Sequence, residues 1–189
     1  MAPNRTKTIM IIRHGEKPGV PVAADGIDGD GNVDSKSLTA AGWQRAHALV
    51  DLFNPPAGIA IRAGLAVPNH LFAAADTSGD QSKRPIETIT PLADSFNPNL
   101  AIDSSIDSSD VKAIAKAAKS VGGVVLVCWK HENILEIAQR LAPTAPLPKK
   151  WPGNRFDMVW VFDLNAQGDY DFSQVAELLL PTDDSTPMK

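Results

Sequence analysis

The chain of 189 residues contains a single cysteine, Cys128. It can form no internal disulfide, and it fits a reducing compartment. Basic charge is not in excess either: 18 Lys and Arg stand against 22 Asp and Glu, for a net charge of −4. That balance argues against nucleic acid or an anionic membrane as an electrostatic partner. It leaves open a small anion held by a few arginines. Long hydrophobic runs are lacking as well. The opening "MAPNRTKTIMIIRHGEK" has one short apolar run, interrupted by charge at Arg13, which suits neither a signal peptide nor a membrane span. The expectation is a cytoplasmic protein. Several catalytic signatures are missing. There is no Gly-x4-Gly-Lys-Ser/Thr run to cradle a nucleotide's phosphates. A cysteine phosphatase would carry arginine six residues after its nucleophile, but Ile134 stands there after Cys128. The histidines show no zinc-type pairing. "DGDGN" at 28–32 hints at a calcium loop, yet Val33 and Thr39 replace the glycine and glutamate such a loop requires.

What is present suits one α/β domain spanning 1–189, long enough to bury a core. "TIMII" (8–12) reads as a strand covered on both faces. Residues 17–37 are rich in Gly, Asp and Pro without periodicity, so they form a long loop of the kind that covers a site. "LTAAGWQRAHALVDLF" reads as a helix capped by Thr39, with Trp43, Ala46, Val50 and Phe53 along one face. "HLFAAAD" is a second strand. "SKRPIETITPLADSF" and "SSDVKAIAKAAKS" are helices, the first with Pro85 in its opening turn. "VVLVCW" is a central strand leading through "KHE" into the helix "NILEIAQRL". "FDMVWVFDL" and "YDFSQV" complete the strands, and 182–189 reads as a frayed tail. Alternation of this kind implies a three-layer fold, a mainly parallel central sheet flanked by helices.

Open α/β sheets bind ligands at the carboxyl ends of their strands. Here "RHGE" follows the first strand, "SGDQSKR" the second, and "KHE" the "VVLVCW" strand. Arg13, His14, Arg84 and His131 can therefore converge from distant parts of the chain. Arginine's planar fork binds phosphoryl oxygens through paired charge-assisted hydrogen bonds. Neutral imidazole can attack phosphorus and carry the phosphoryl group, and neighbouring arginines keep it neutral. A second imidazole can donate to the equatorial oxygens as charge spreads over them. A carboxylic acid must then protonate the leaving oxygen.

"RHGE" after the first strand, "LTAAGWQRA", "SKRPIET" and "KHENI" together resemble the histidine phosphatase superfamily, which includes the phosphoglycerate mutases. The resemblance runs over roughly residues 8–142. It implies a phosphoglycerate mutase-like fold, His14 as the nucleophile that becomes phosphohistidine, and Arg13, Arg84 and His131 as the phosphate pocket. Two features depart from the mutase pattern. The glutamate usually found after the "SKRPIET" helix is absent from "NPNLAIDSSIDSSDV", and Lys130 stands where many members have glycine. "HEN" instead resembles the His-Asp-x-Asn run of the acid-phosphatase branch, whose carboxylate is the proton donor. Glu132 is the candidate acid on that resemblance, with Glu16 second.

Each residue also has a plainer role available. Glu132 could simply favour a helix N-terminus, Lys17 could be a solvated loop lysine rather than an aid to phosphate binding, and Cys128 suits an inert buried thiol. The functional expectation is a metal-independent phosphohydrolase without cofactor, acting on a phosphorylated small molecule or phosphoprotein. A mutase-type phosphotransferase and a phosphate-binding module without turnover are the alternatives. Specificity should come from the loop 17–37 and the segment 143–155; Trp151 and Arg155 fit the rim of the site and ordinary packing equally well.

Overall fold

The first apolar run becomes β1 (Lys7–Arg13), buried along its whole length. In the computed structural model, which describes residues 7–77 and 81–189, this strand lies between two others. It pairs in parallel with β4 (Gly123–Trp129), from Lys7 opposite Gly123 to Arg13 opposite Trp129. On its other side it pairs antiparallel with β5 (Met158–Leu164). The opening "MAPNRT" and the Ser-Gly-Asp start of "SGDQSKR" lie outside the described residues.

Beyond β4 come β2 (His70–Ala73) and the two-residue β3 (Ile102–Asp103), both parallel. Beyond β5 comes β6 (Tyr170–Ala176), antiparallel. The order is β3-β2-β4-β1-β5-β6. Helices α1 (Ala40–Phe53) and α2 (Arg84–Asp94) cover one face, and α3 (Val111–Ser120) and α4 (His131–Leu141) the other. Because successive strand residues point to opposite faces, β1 splits its side chains between two cores. Ile9 and Ile11 join Val125, Val127 and the α3–α4 side, while Met10 and Ile12 join Leu126, Cys128 and the α1–α2 side. This is the three-layer α/β architecture that the alternation of strands and helices implies. Among the described residues no helix is long and apolar enough to cross a membrane.

Local chemistry fixes the helix starts. Thr39 accepts a hydrogen bond from Gly42 N and Asp110 one from Ala113 N, each satisfying an orphan donor of the first turn. Pro85 sits in the opening turn of α2, where a missing N–H costs nothing.

Two expectations are corrected. The inner face of α1 is Gly42, Arg45, Ala46, Leu49, Leu52 and Phe53, with Trp43 and Val50 only half-buried. The helix is rotated because Arg45 turns inward to meet carboxylates. Residues 182–189 are docked rather than frayed: Asp183 pairs with Arg45, Asp184 N donates to Asp157 Oδ2, and Met188 is buried against the core. Polar composition suggested fraying, but these polar groups have buried partners.

Candidate active site

The site begins where β1 ends. His14 N continues the sheet by donating to Trp129 O at 3.2 Å, and the imidazole is almost wholly buried, 3% exposed. Its Nδ1 lies 2.8 Å from Gly15 O. A carbonyl can only accept, so Nδ1 carries the proton and Nε2 keeps the lone pair. Burial, then the charges of Arg13, Arg84 and Lys17, push the imidazole's pKa down to about 3. The ring is therefore neutral and nucleophilic through the physiological range.

Arg13 is fully buried beside it. Both Nη1 hydrogens have acceptors, Gly153 O at 2.8 Å and Arg155 O at 2.9 Å. The guanidinium stacks on Phe156, 3.7 Å from the ring centroid, and the same ring borders His14 at 6.3 Å. Nε and Nη2 are buried with no acceptor among the described residues. That edge is a planar pair of parallel N–H donors, the geometry that grips phosphate or carboxylate.

The glycine of "RHGE" serves close approach rather than flexibility. A Cβ on Gly15 would come within 3.0 Å of Gly42 O, and one on Gly42 within 2.6 Å of Glu16 O. Two glycines thus let the turn at His14 rest on the start of α1. Thr88 holds the turn from the α2 side, accepting from Gly15 N at 2.8 Å and donating to Arg84 O at 2.7 Å.

Arg84 opens α2 and is buried; it donates to Ser35 O at 2.7 Å, Ser37 O at 3.3 Å and Ser82 Oγ at 3.1 Å. It thereby ties the loop 17–37 to the site as well as lending its charge to His14. Glu87, one turn on, accepts from Ser37 Oγ and Leu38 N.

His131 and Glu132 form the first turn of α4. Gly153 lies against His131, with room for a Cβ only 3.5 Å from Nε2. Glu132 Oε2 is 3.0 Å from His131 Nδ1, an ion-pair separation at an angle outside that of a hydrogen bond. His131 and the residue's own backbone N–H, aided by Lys17, outweigh partial burial and hold the Glu132 carboxyl down to about 2. Glu132 also acts on Arg13. Lys130, the departure noted in the sequence, donates to Asp76 Oδ2 at 2.7 Å. Arg13, Arg84 and Lys17 thus act on His14, while His131 and Lys17 act on Glu132. Among the described residues no cluster of His, Cys, Asp and Glu is suited to hold a metal ion.

Glu16 is engaged elsewhere. Both its oxygens accept from Arg45, the nearest contact 2.7 Å. Arg45 also meets Glu177 at 2.7 Å and Asp183 at 2.6 Å, so three carboxylates share one buried guanidinium. The sequence signal for this cluster was an arginine inside the apolar stripe of α1. Glu177 is the member least provided for: Oε1 has no partner, and burial pushes its pKa up to about 8 against an ordinary 4.5.

Between about pH 4.5 and 8 the folded chain therefore retains a proton that the unfolded chain has lost. Its stability falls as pH rises through that window. In Glu177→Gln this contribution vanishes: melting temperatures should be flatter between pH 5 and 8, and at pH 8 the variant should equal or exceed the wild type. An undiminished slope in the variant would assign the effect to other groups.

No family model matches the sequence, and no curated protein does. Solved structures do match in fold. The protein histidine phosphatase SixA complexed with tungstate superposes with a TM-score of 0.57 at 15% identity, over 90% of this chain and 97% of that one. Phosphoglycerate mutase from Plasmodium falciparum gives 0.52 at 15% identity, over 98% and 100%. The ecdysone phosphate phosphatase from Bombix mori, in complex with tungstate, gives 0.50 at 13% identity, over 97% of each. All three are histidine phosphatase superfamily structures. The likeness first seen in "RHGE", "SKRPIET" and "KHENI" therefore extends to the fold of nearly the whole chain.

Proposed function

We propose that the protein is a phosphohydrolase that removes a phosphoryl group from a phosphomonoester or phosphoprotein through a phosphohistidine at His14. One observation carries the reading: the buried, unpartnered Nε–Nη2 edge of Arg13 beside an imidazole whose lone pair is on Nε2. Buried donors without acceptors are costly, and an anionic group at that edge removes the cost.

In the proposed reaction His14 Nε2 attacks phosphorus and the P–O bond to the leaving group breaks. The leaving oxygen takes a proton from Glu132, which receives it from the incoming phosphate monoanion and so ends the step ionised as it began. Water then attacks the phosphohistidine, releasing inorganic phosphate and restoring the neutral ring. Arg13, with Arg84 and His131, balances the charge on the equatorial oxygens in both steps. The cations supply the electrostatics that metal ions supply in other phosphatases, so the reaction as drawn needs no metal.

The second reading, phosphate binding without turnover, draws on the ionised state of Glu132, since an acid catalyst needs a proton to give. Hydrolysis separates the two. Turnover of p-nitrophenyl phosphate should continue in excess chelator and be inhibited competitively by vanadate. Binding of vanadate with no hydrolysis of any aryl phosphate would favour the binding module. Activity lost on chelation and restored by one metal would place the chemistry elsewhere. A panel of phosphorylated metabolites and phosphopeptides then identifies the substrate class.

A further inference from the structure

Arg155 faces two ways. Its carbonyl oxygen accepts from Arg13 Nη1 and from Trp151 Nε1, each at 2.9 Å. Its guanidinium extends toward the last segment of the chain. There Nε donates to Asp157 Oδ1 at 2.6 Å, and Nη2 to Asp184 O at 2.9 Å and Thr186 O at 3.2 Å. Asp184 N returns a hydrogen bond to Asp157 Oδ2 at 2.7 Å, so Arg155, Asp157 and Asp184 close a ring. Asp157 O in turn accepts from Glu177 N at 2.8 Å, just past β6.

The orientation of Arg13 depends on this anchor. With both Nη1 hydrogens held by Gly153 O and Arg155 O and one face on Phe156, the guanidinium has no rotational freedom left. Where those two carbonyls sit decides where the Nε–Nη2 edge points. We infer that Arg155 is a positioning residue for phosphoryl binding: its side chain, fixed to Asp157 and to 184–186, sets the carbonyl that aims Arg13. The inference rests on the reading above that Arg13 grips the phosphoryl group. The corrected tail belongs to this device, because it supplies the acceptors that hold Arg155.

The test uses the full chain carrying Arg155→Met, Arg155→Lys or Asp157→Asn, with melting curves to measure the folded fraction. Misplacing a binding group by about an ångström can cost as much as about 10²-fold. Arg155→Met should raise both KM for an aryl phosphate and Ki for vanadate by about tenfold or more. Its kcat per folded molecule should fall as well, because Arg13 also balances the charge that develops in both steps. Arg155→Lys restores the pairing with Asp157 but not the fork onto the two carbonyls, so it should fall between. Asp157→Asn loosens the same ring at constant volume and gives the same KM and Ki signature if Arg155→Met does not fold. A purely structural role lowers the melting temperature and the active fraction while leaving KM and Ki at wild-type values, and that result overturns the inference. Wild-type protein that neither hydrolyses aryl phosphates nor binds vanadate overturns the phosphatase reading and this inference together. Vanadate inhibition of wild type with an unchanged Ki in folded Arg155→Met overturns the positioning alone.

Discussion

His14→Ala should abolish turnover, lowering kcat by on the order of 10⁴–10⁶-fold, the scale on which losing a covalent nucleophile is felt. Neither the cysteine nor the second histidine is placed to take over. The Cys128 thiol is fully buried in β4 and its pKa is driven far up by burial, so it offers no thiolate. His131 stands at the start of another helix beside Glu132. Rapid quenching without acid during wild-type turnover should trap an acid-labile, base-stable phosphoprotein that is missing from the variant. With the His14 pKa near 3, the wild-type rate should show no loss from imidazole protonation between pH 5 and 8. Normal turnover in His14→Ala would end the phosphohistidine mechanism. A rate that halves near pH 6.5 and tracks His14 would show that the ring is not held neutral.

Glu132→Gln should depress kcat on alkyl phosphates by about 10²–10⁴-fold, the usual worth of general acid catalysis. The effect should depend on the leaving group. An alkoxide is too basic to depart without a proton, whereas p-nitrophenolate leaves readily, so the loss on p-nitrophenyl phosphate should be far smaller. Because His131 holds the Glu132 carboxyl at about 2 in the free protein, the proton must arrive with the substrate. A phosphate monoanion, whose second pKa is about 6, can pass it to Glu132 and receive it back at the leaving oxygen. For alkyl phosphates kcat/KM should therefore decline above about pH 6. Glu16→Gln is the control. With both oxygens bound to Arg45, Glu16 should cost stability and show no leaving-group dependence. If Glu16→Gln shows that dependence and Glu132→Gln does not, the acid is Glu16. Equal losses on both substrates in Glu132→Gln make that residue structural.

The parts of this molecule legible in its sequence are those whose signal is local. The β-branched runs at β1 and β4 mark strands buried on both faces. The residues at their tips are fixed in direction by the parallel ladder from Lys7–Gly123 to Arg13–Trp129, which is why "RHGE" and "KHE" meet. Strand β3 escaped notice because two residues, Ile102 and Asp103, carry no periodicity. Arg45 was hidden for another reason: a charge inside an apolar stripe looks like a break in the pattern until its carboxylates, from Glu16 to Asp183, are seen around it. The anchoring of Arg13 was beyond reach. It runs through main-chain carbonyls of Gly153 and Arg155, and a backbone acceptor has no residue type to betray it. The docked tail was misjudged because Asp and Thr in a Pro-flanked stretch signal solvent, while here they satisfy Arg45 and Arg155.

The place of β1 in the sheet has a consequence for the newborn chain. His14 is made long before the two strands that flank β1, which are encoded far downstream, at Gly123–Trp129 and Met158–Leu164. The bond from Arg13 to Gly153 spans 140 residues of chain. At a synthesis rate of about 5–20 residues per second, that interval lasts on the order of ten seconds. Throughout it Arg13 lacks the carbonyl that fixes its orientation beside His14. The hold on the Arg13 guanidinium is complete only once Gly153 and Arg155 have both been made.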